Sequence, residues 1–337
     1  MVSEERFDIE ELQILVNICG EHLEISYPPL HLTMITVEPT ENLYKVNVKS
    51  SREDFAKALN YGVFQNEMPS YKDVFDCLLN SGIIQYCNLD EFEKKVRVYQ
   101  SLNKTVYFSP DTNILYHGFF TNSDLIKPEE VLLVNTVRDE IESSLNYKYD
   151  SHQINEIKKL TKFHGHLFDE LRNKRMKRSR RAAYLAMQDF RSIRDRATKL
   201  EPIRESIADG RENDLTIART LGKYGKESNC IAILITADNL MTDICETEGI
   251  EYFHFKIPHE IEYSDCTARA NQLTKLVYNL ASLLGFVKLN NIILFGEYKG
   301  KTSPGELKAR FLNDHAFKNF ERELEICRKL SKLGISK

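Results

Sequence analysis

"YFSPDTNILYHGFF", Tyr107–Phe120, decides how the middle of this chain is read. It opens as an apolar, strand-like run and stops on a carboxylate, Asp111, with Thr112 and Asn113 directly after it. Alone, Asp111 reads as the cap of a helix over "NILYHGF", because Asp is a favoured N-cap. The reading changes when other acids fall at equivalent strand ends.

Several do. Across residues 104–260, apolar segments ("KTVYFSPD", "VLLV", "CIAILIT", and "IEYFHFKI" as an edge) alternate with helical ones ("TVRDEIESSL", "NDLTIARTLGKYG", "DNLMTDICETEG"). That alternation predicts an α/β fold with a mostly parallel central sheet and helices on both faces. Ligands of such sheets sit at the carboxyl ends of the strands. Asp111 ends the first strand, Glu140 lies in the helix after "VLLV", Asp214 opens the next helix, and Asp238 follows "CIAILITA". Each acid separately suits a helix cap or a solvated helix face. Gathered on one rim they suit a hard divalent cation, Mg²⁺ or Mn²⁺, which takes carboxylate and water oxygens and activates a bound water. Thr112, Asn113 and Thr236 support these carboxylates. Asp243, about 140° around the helix from Asp238, is a fifth candidate.

The motifs "SPDTNIL", "TVRDEI", "NDLTIA", "LITADNLM" and "EGIEYFHF" occur in an order that resembles the PIN-domain nucleases. The resemblance covers residues 104–260. It implies a parallel α/β sandwich in which Asp111, Glu140, Asp214 and Asp238 are the catalytic acids and metal ligands. It further implies endonucleolytic hydrolysis of RNA phosphodiesters with Mg²⁺ or Mn²⁺. Two rival readings stand beside it: a non-catalytic RNA-binding or scaffold protein on the same fold, and a structure-specific DNA nuclease.

The flanks depart from a minimal domain of that family. Residues 1–100 read as a small α+β module, residues 148–210 as a charged helical insertion, and residues 265–337 as a mostly helical region. Within the insertion, "RNKRMKRSRR" carries Arg172, Lys174, Arg175, Lys177, Arg178, Arg180 and Arg181, seven basic residues in ten, and Arg191 and Arg194 follow. Such a run is expected to project from a core, or to lie across its edge, and to meet a nucleic-acid backbone, RNA or DNA, without base specificity. A homodimer or protein partner through the N- or C-terminal region is also expected.

The 337 residues are 42% hydrophobic, enough for one large core or several smaller ones. The formal charge of -4 hides the basic cluster. Seven scattered cysteines show no zinc-finger spacing and read as reduced core thiols. "KFHGHLF" holds an HxH pair, His164 and His166, with no further His or Cys nearby in sequence. The acidic start lacks an apolar signal region, and no run reaches the roughly 18 apolar residues of a membrane span. A cytoplasmic protein without membrane contact is the expectation.

Overall fold

The computed structural model describes residues 3–58, 62–203, 212–259 and 265–335. In chain order the strands are β1 (Ser3–Asp8), β2 (Leu23–Tyr27), β3 (Leu32–Pro39), β4 (Tyr44–Val48), β5 (Val106–Pro110), β6 (Leu132–Val134), β7 (Thr198–Leu200), β8 (Ile231–Thr236), β9 (Glu251–His254), β10 (Asp265–Ala268), β11 (Phe286–Leu289), β12 (Ile292–Phe295) and β13 (Glu306–Phe311). The chain divides into two compact units. One comprises Met1–Ile83, Tyr147–Arg180 and Glu260–Lys337; the other comprises Ile84–Asn146 and Arg181–His259.

The first unit is organised by an eight-stranded sheet in the order β1-β13-β12-β11-β2-β3-β4-β10. Every pairing in it is antiparallel. This overturns the expected fold class. The principal sheet is not the parallel, PIN-like one, and the resemblance to PIN domains fails with it. The C-terminal region keeps two helices, Ala270–Leu284 and Asp314–Lys332, and also supplies four strands of this sheet.

Asn290 explains how the two ends of the chain join. "Asn290-Asn291" is the two-residue turn between β11 and β12, and Asn290 takes the left-handed φ of 49° that such turns require. The Asn290 side chain accepts a hydrogen bond from the Glu24 amide at 2.8 Å and donates to the His22 carbonyl at 2.8 Å. The turn is thereby fastened to β2, which pairs with β11.

The helix Ala270–Leu284 buries Leu273, Leu276, Val277, Leu280 and Leu284. Each buried side chain contributes about 2 kcal/mol. The backbone at Gly296 approaches this helix so closely that a Cβ there would lie 2.3 Å from the Ser282 nitrogen.

The second unit holds the parallel pairings: a three-stranded sheet, β5-β8-β9, and a two-stranded one, β6-β7. A single parallel bridge joins Phe108 to Val131. The core is aromatic. Phe92 lies 4.8 Å from Phe253, 4.8 Å from Phe255, 5.8 Å from Phe108 and 5.9 Å from Phe119, ring centre to ring centre. Offset and edge contacts of this kind add to the area buried. Among the described residues, no helix is long and apolar enough to cross a membrane.

Candidate functional site

Asp111 follows β5 and caps the short helix Thr112–Tyr116, accepting from the Ile114 amide at 2.9 Å. Its other carboxylate oxygen accepts from the buried Thr236 hydroxyl. That hydroxyl accepts in turn from the Asp238 amide at 2.9 Å, while Asp238 caps its own helix by accepting from the Leu240 amide at 2.9 Å. Thr112 donates to Glu140 at 2.6 Å. Asn113 is half-buried, and its carbonyl accepts from the His117 amide at 3.0 Å.

The acids feel one another. Burial pushes the Asp111 carboxyl up to about 7, against the lowering effect of its two hydrogen bonds, and the charges of Asp238 and Asp214 add to the rise. Asp214 is also raised, by burial and then by Asp238 and Glu140. Beneath them the Cys245 thiol is pushed up to about 12, by burial first and then by Asp111 and Asp214. Asp243 is exposed, and its charge acts on Tyr252.

Mutual repulsion is not a metal cage. Both Asp111 oxygens, and one oxygen each of Asp238 and Glu140, are turned to local amide and hydroxyl donors. Among the described residues, no three His, Cys, Asp or Glu side chains are placed to hold a metal ion. The four-carboxylate metal site, and the metal-dependent phosphodiester hydrolysis routed through it, are therefore not found in this fold. The nuclease reading is corrected accordingly. The sequence also hid a third histidine: His31 packs 5.7 Å from His164, which lies 6.1 Å from His166.

The basic run differs from expectation as well. It does not project as a solvated arm. Arg180 is fully buried, donating to the carbonyls of Leu283 at 2.8 Å and Arg175 at 2.7 Å. Lys177 pairs with Asp73 at 2.8 Å and donates to the Met68 carbonyl at 2.6 Å. Arg175 lies 3.7 Å from the buried Glu297, and Arg172 pairs with Asp169 at 3.5 Å. The Lys174 carbonyl accepts from the Tyr149 amide at 2.9 Å. Arg178 lies over the Tyr147 ring at 4.9 Å and Arg181 over Tyr116 at 4.4 Å. Charges held this way order the chain around them.

Three exposed cations of the second unit meet elsewhere, at a cleft of about 230 Å³ beyond the carboxyl end of β6. Asn135, Arg138, Phe190, Arg194 and Lys199 line it, with Glu142 and Asp195 among them. The helix Asn135–Ser144 starts there, and its Val134 cap makes no side-chain hydrogen bond to the first turn. The free amides of a helix start favour an anion. Arg138 pairs with Asp139 at 3.1 Å and Glu142 at 3.7 Å, and Arg194 with Asp195 at 3.1 Å; all five side chains are open to solvent. Exposed pairs of this kind contribute little and exchange readily. Among the described residues, Lys199 makes no ion pair. Arg138 lies about 200° around its helix from Glu140, so this cleft and the acid group flank opposite sides of one helix. Arg138 is inconspicuous in the sequence, because its i, i+4 partner Glu142 makes "VRDEIE" look like an ordinary charged face.

No protein-family model matches this chain, and no curated protein sequence matches it.

Proposed function

We propose that the second unit binds phosphate groups, with RNA as the partner, at the cleft formed by Asn135, Arg138, Arg194 and Lys199. One observation carries this reading: three exposed cations and an open helix start meet at the carboxyl end of a parallel strand. Ligands of parallel sheets enter at such ends. A guanidinium offers paired donors to a phosphate, and a lysine adds a mobile point charge. Contacts of this type position a nucleic-acid backbone without reading bases. Arg191 is exposed on the helix Met187–Ile193, three residues before Arg194, and extends the same basic face. The acids Glu142 and Asp195 temper the site. They give up their arginine partners when a phosphate arrives, at small cost because the pairs are exposed.

The test is binding of a labelled single-stranded RNA, read by fluorescence anisotropy, with a matched DNA alongside. The variant Arg138→Gln/Arg194→Gln/Lys199→Gln should lose roughly tenfold or more in affinity at low salt. Wild-type affinity in that variant would overturn the assignment of the cleft. Equal affinity for DNA would keep the site and widen the partner.

A further inference from the structure

Two turns of the first unit, far apart in sequence, bring three histidines together. His31 follows the short helix Pro28–Leu30 and takes a left-handed φ of 50°; His164 precedes the helix Gly165–Leu171 and takes a left-handed φ of 54°. Such backbones are uncommon outside glycine, and strain of this kind collects at functional sites. His31 packs 5.7 Å from His164, and His164 lies 6.1 Å from His166, ring centre to ring centre. Phe163 also meets His31, edge to face, at 4.1 Å. Both segments are fixed by one core residue: Tyr27 stacks on Phe286 at 5.3 Å, and Phe168 meets the same ring at 5.4 Å. Turns pinned to a common core hold their side chains near one another before any ligand arrives.

All three rings are exposed, and among the described residues none of them makes a hydrogen bond or an ion pair. Imidazole nitrogen suits Zn²⁺, Cu²⁺ and Ni²⁺, whereas Mg²⁺ and Ca²⁺ take oxygen. Lys288 stands close enough for its charge to act on His164. An ion at this place is therefore held by nitrogen ligation and not by opposite charge. Metal–nitrogen bonds of about 2.0–2.1 Å at a tetrahedral angle set two imidazole centres roughly 5.2 Å apart. As placed, the rings do not converge on one point, but both separations exceed that figure by less than about 1 Å. Exposed side chains turn between rotamers within nanoseconds, and such a turn covers the gap. We propose that His31, His164 and His166 form a site for a divalent transition-metal ion of the Zn²⁺ class, closed by the ion itself. Three protein ligands leave the fourth tetrahedral position to water.

Isothermal titration of the full chain with Zn²⁺ tests this, with Co²⁺ absorbance read alongside. Wild type should bind one Zn²⁺ per chain with roughly micromolar affinity or tighter. His31→Asn and His164→Asn keep a residue that tolerates the left-handed backbone. Each of them, and His166→Gln, should weaken binding roughly tenfold or more, since even the outer partners of metal ligands are worth that much. Circular dichroism of these variants without metal should match wild type. His22→Gln, which alters an exposed histidine beside Glu38, should bind as wild type does. Co²⁺ should give the visible bands of a tetrahedral nitrogen site and no thiolate charge-transfer band. A wild type that takes up no Zn²⁺ overturns the proposal, and so does a thiolate band, which places the ion on cysteine. Wild-type affinity in His31→Asn reduces the site to the neighbouring His164 and His166 and overturns the three-histidine assignment.

Discussion

Replacing Asp111 by Asn should stabilise the protein at alkaline pH and do so much less in acid. The carboxyl is 5% exposed, and burial, reinforced by Asp238 and Asp214, lifts it from an ordinary 3.8 to about 7. The folded protein thus holds this proton more tightly than the unfolded chain does. Stability from this group is greatest below pH 3.8, falls as pH rises, and is fully lost above about 7. Each pH unit in that window is worth about 1.4 kcal/mol, so the full penalty of the ionised group is about 4 kcal/mol. Asn carries no such penalty. Its oxygen keeps the Ile114 amide, and its NH₂ donates to Thr236, whose hydroxyl then only accepts. Chemical denaturation followed by circular dichroism, for both proteins at pH 5 and pH 8, isolates the effect. The stability difference between variant and wild type should grow by about 2–3 kcal/mol from the lower pH to the higher. A difference that stays constant across that range would refute the claim that Asp111 is held uncharged by its surroundings.

Arg180→Ala should cost about 3–5 kcal/mol, because it empties a fully buried position and strips partners from the buried Leu283 carbonyl and the part-buried Arg175 carbonyl, whereas exposed Arg178→Ala should stay within about 1 kcal/mol; urea midpoints compare the two. Gly296→Ala should lose about 3 kcal/mol or more, since its Cβ would meet helix backbone at 2.3 Å, and a lowered melting temperature checks it. Glu142→Gln and Asp195→Asn should each tighten RNA binding by roughly threefold, by releasing Arg138 and Arg194; weaker binding in both would count against the cleft.

Local signals in the sequence carried some of this structure. The capped helix after Asp111 and the alternation in "LHLTMITVEP" and "LYKVNVKS" correspond to a helix, β3 and β4. The apolar runs of the middle segment correspond to β5, β6, β8 and β9. Partnership was the part out of reach. "FVKLNNIILF" is almost wholly buried, with Phe168 packed on Phe286 and the helix Ala270–Leu284 close by, so it shows no strand alternation, and its pairing with β2 spans most of the chain. Its one local signal was the Asn290-Asn291 turn. The acids at strand ends were legible as positions, but not the amide and hydroxyl donors that claim their oxygens. The basic run misled for a related reason. Arg180 is indistinguishable from Arg178 in sequence, and only the Leu283 and Arg175 carbonyls around it make it structural.

The most direct test of the central claim is the salt dependence of RNA binding. Three cations that each neutralise one phosphate of a single strand should contribute about 2 to the slope of log affinity against log salt. Wild type should therefore show a slope steeper by about 2 than Arg138→Gln/Arg194→Gln/Lys199→Gln. Identical slopes in the two proteins would show that these three residues do not meet the phosphate backbone, and would contradict the account.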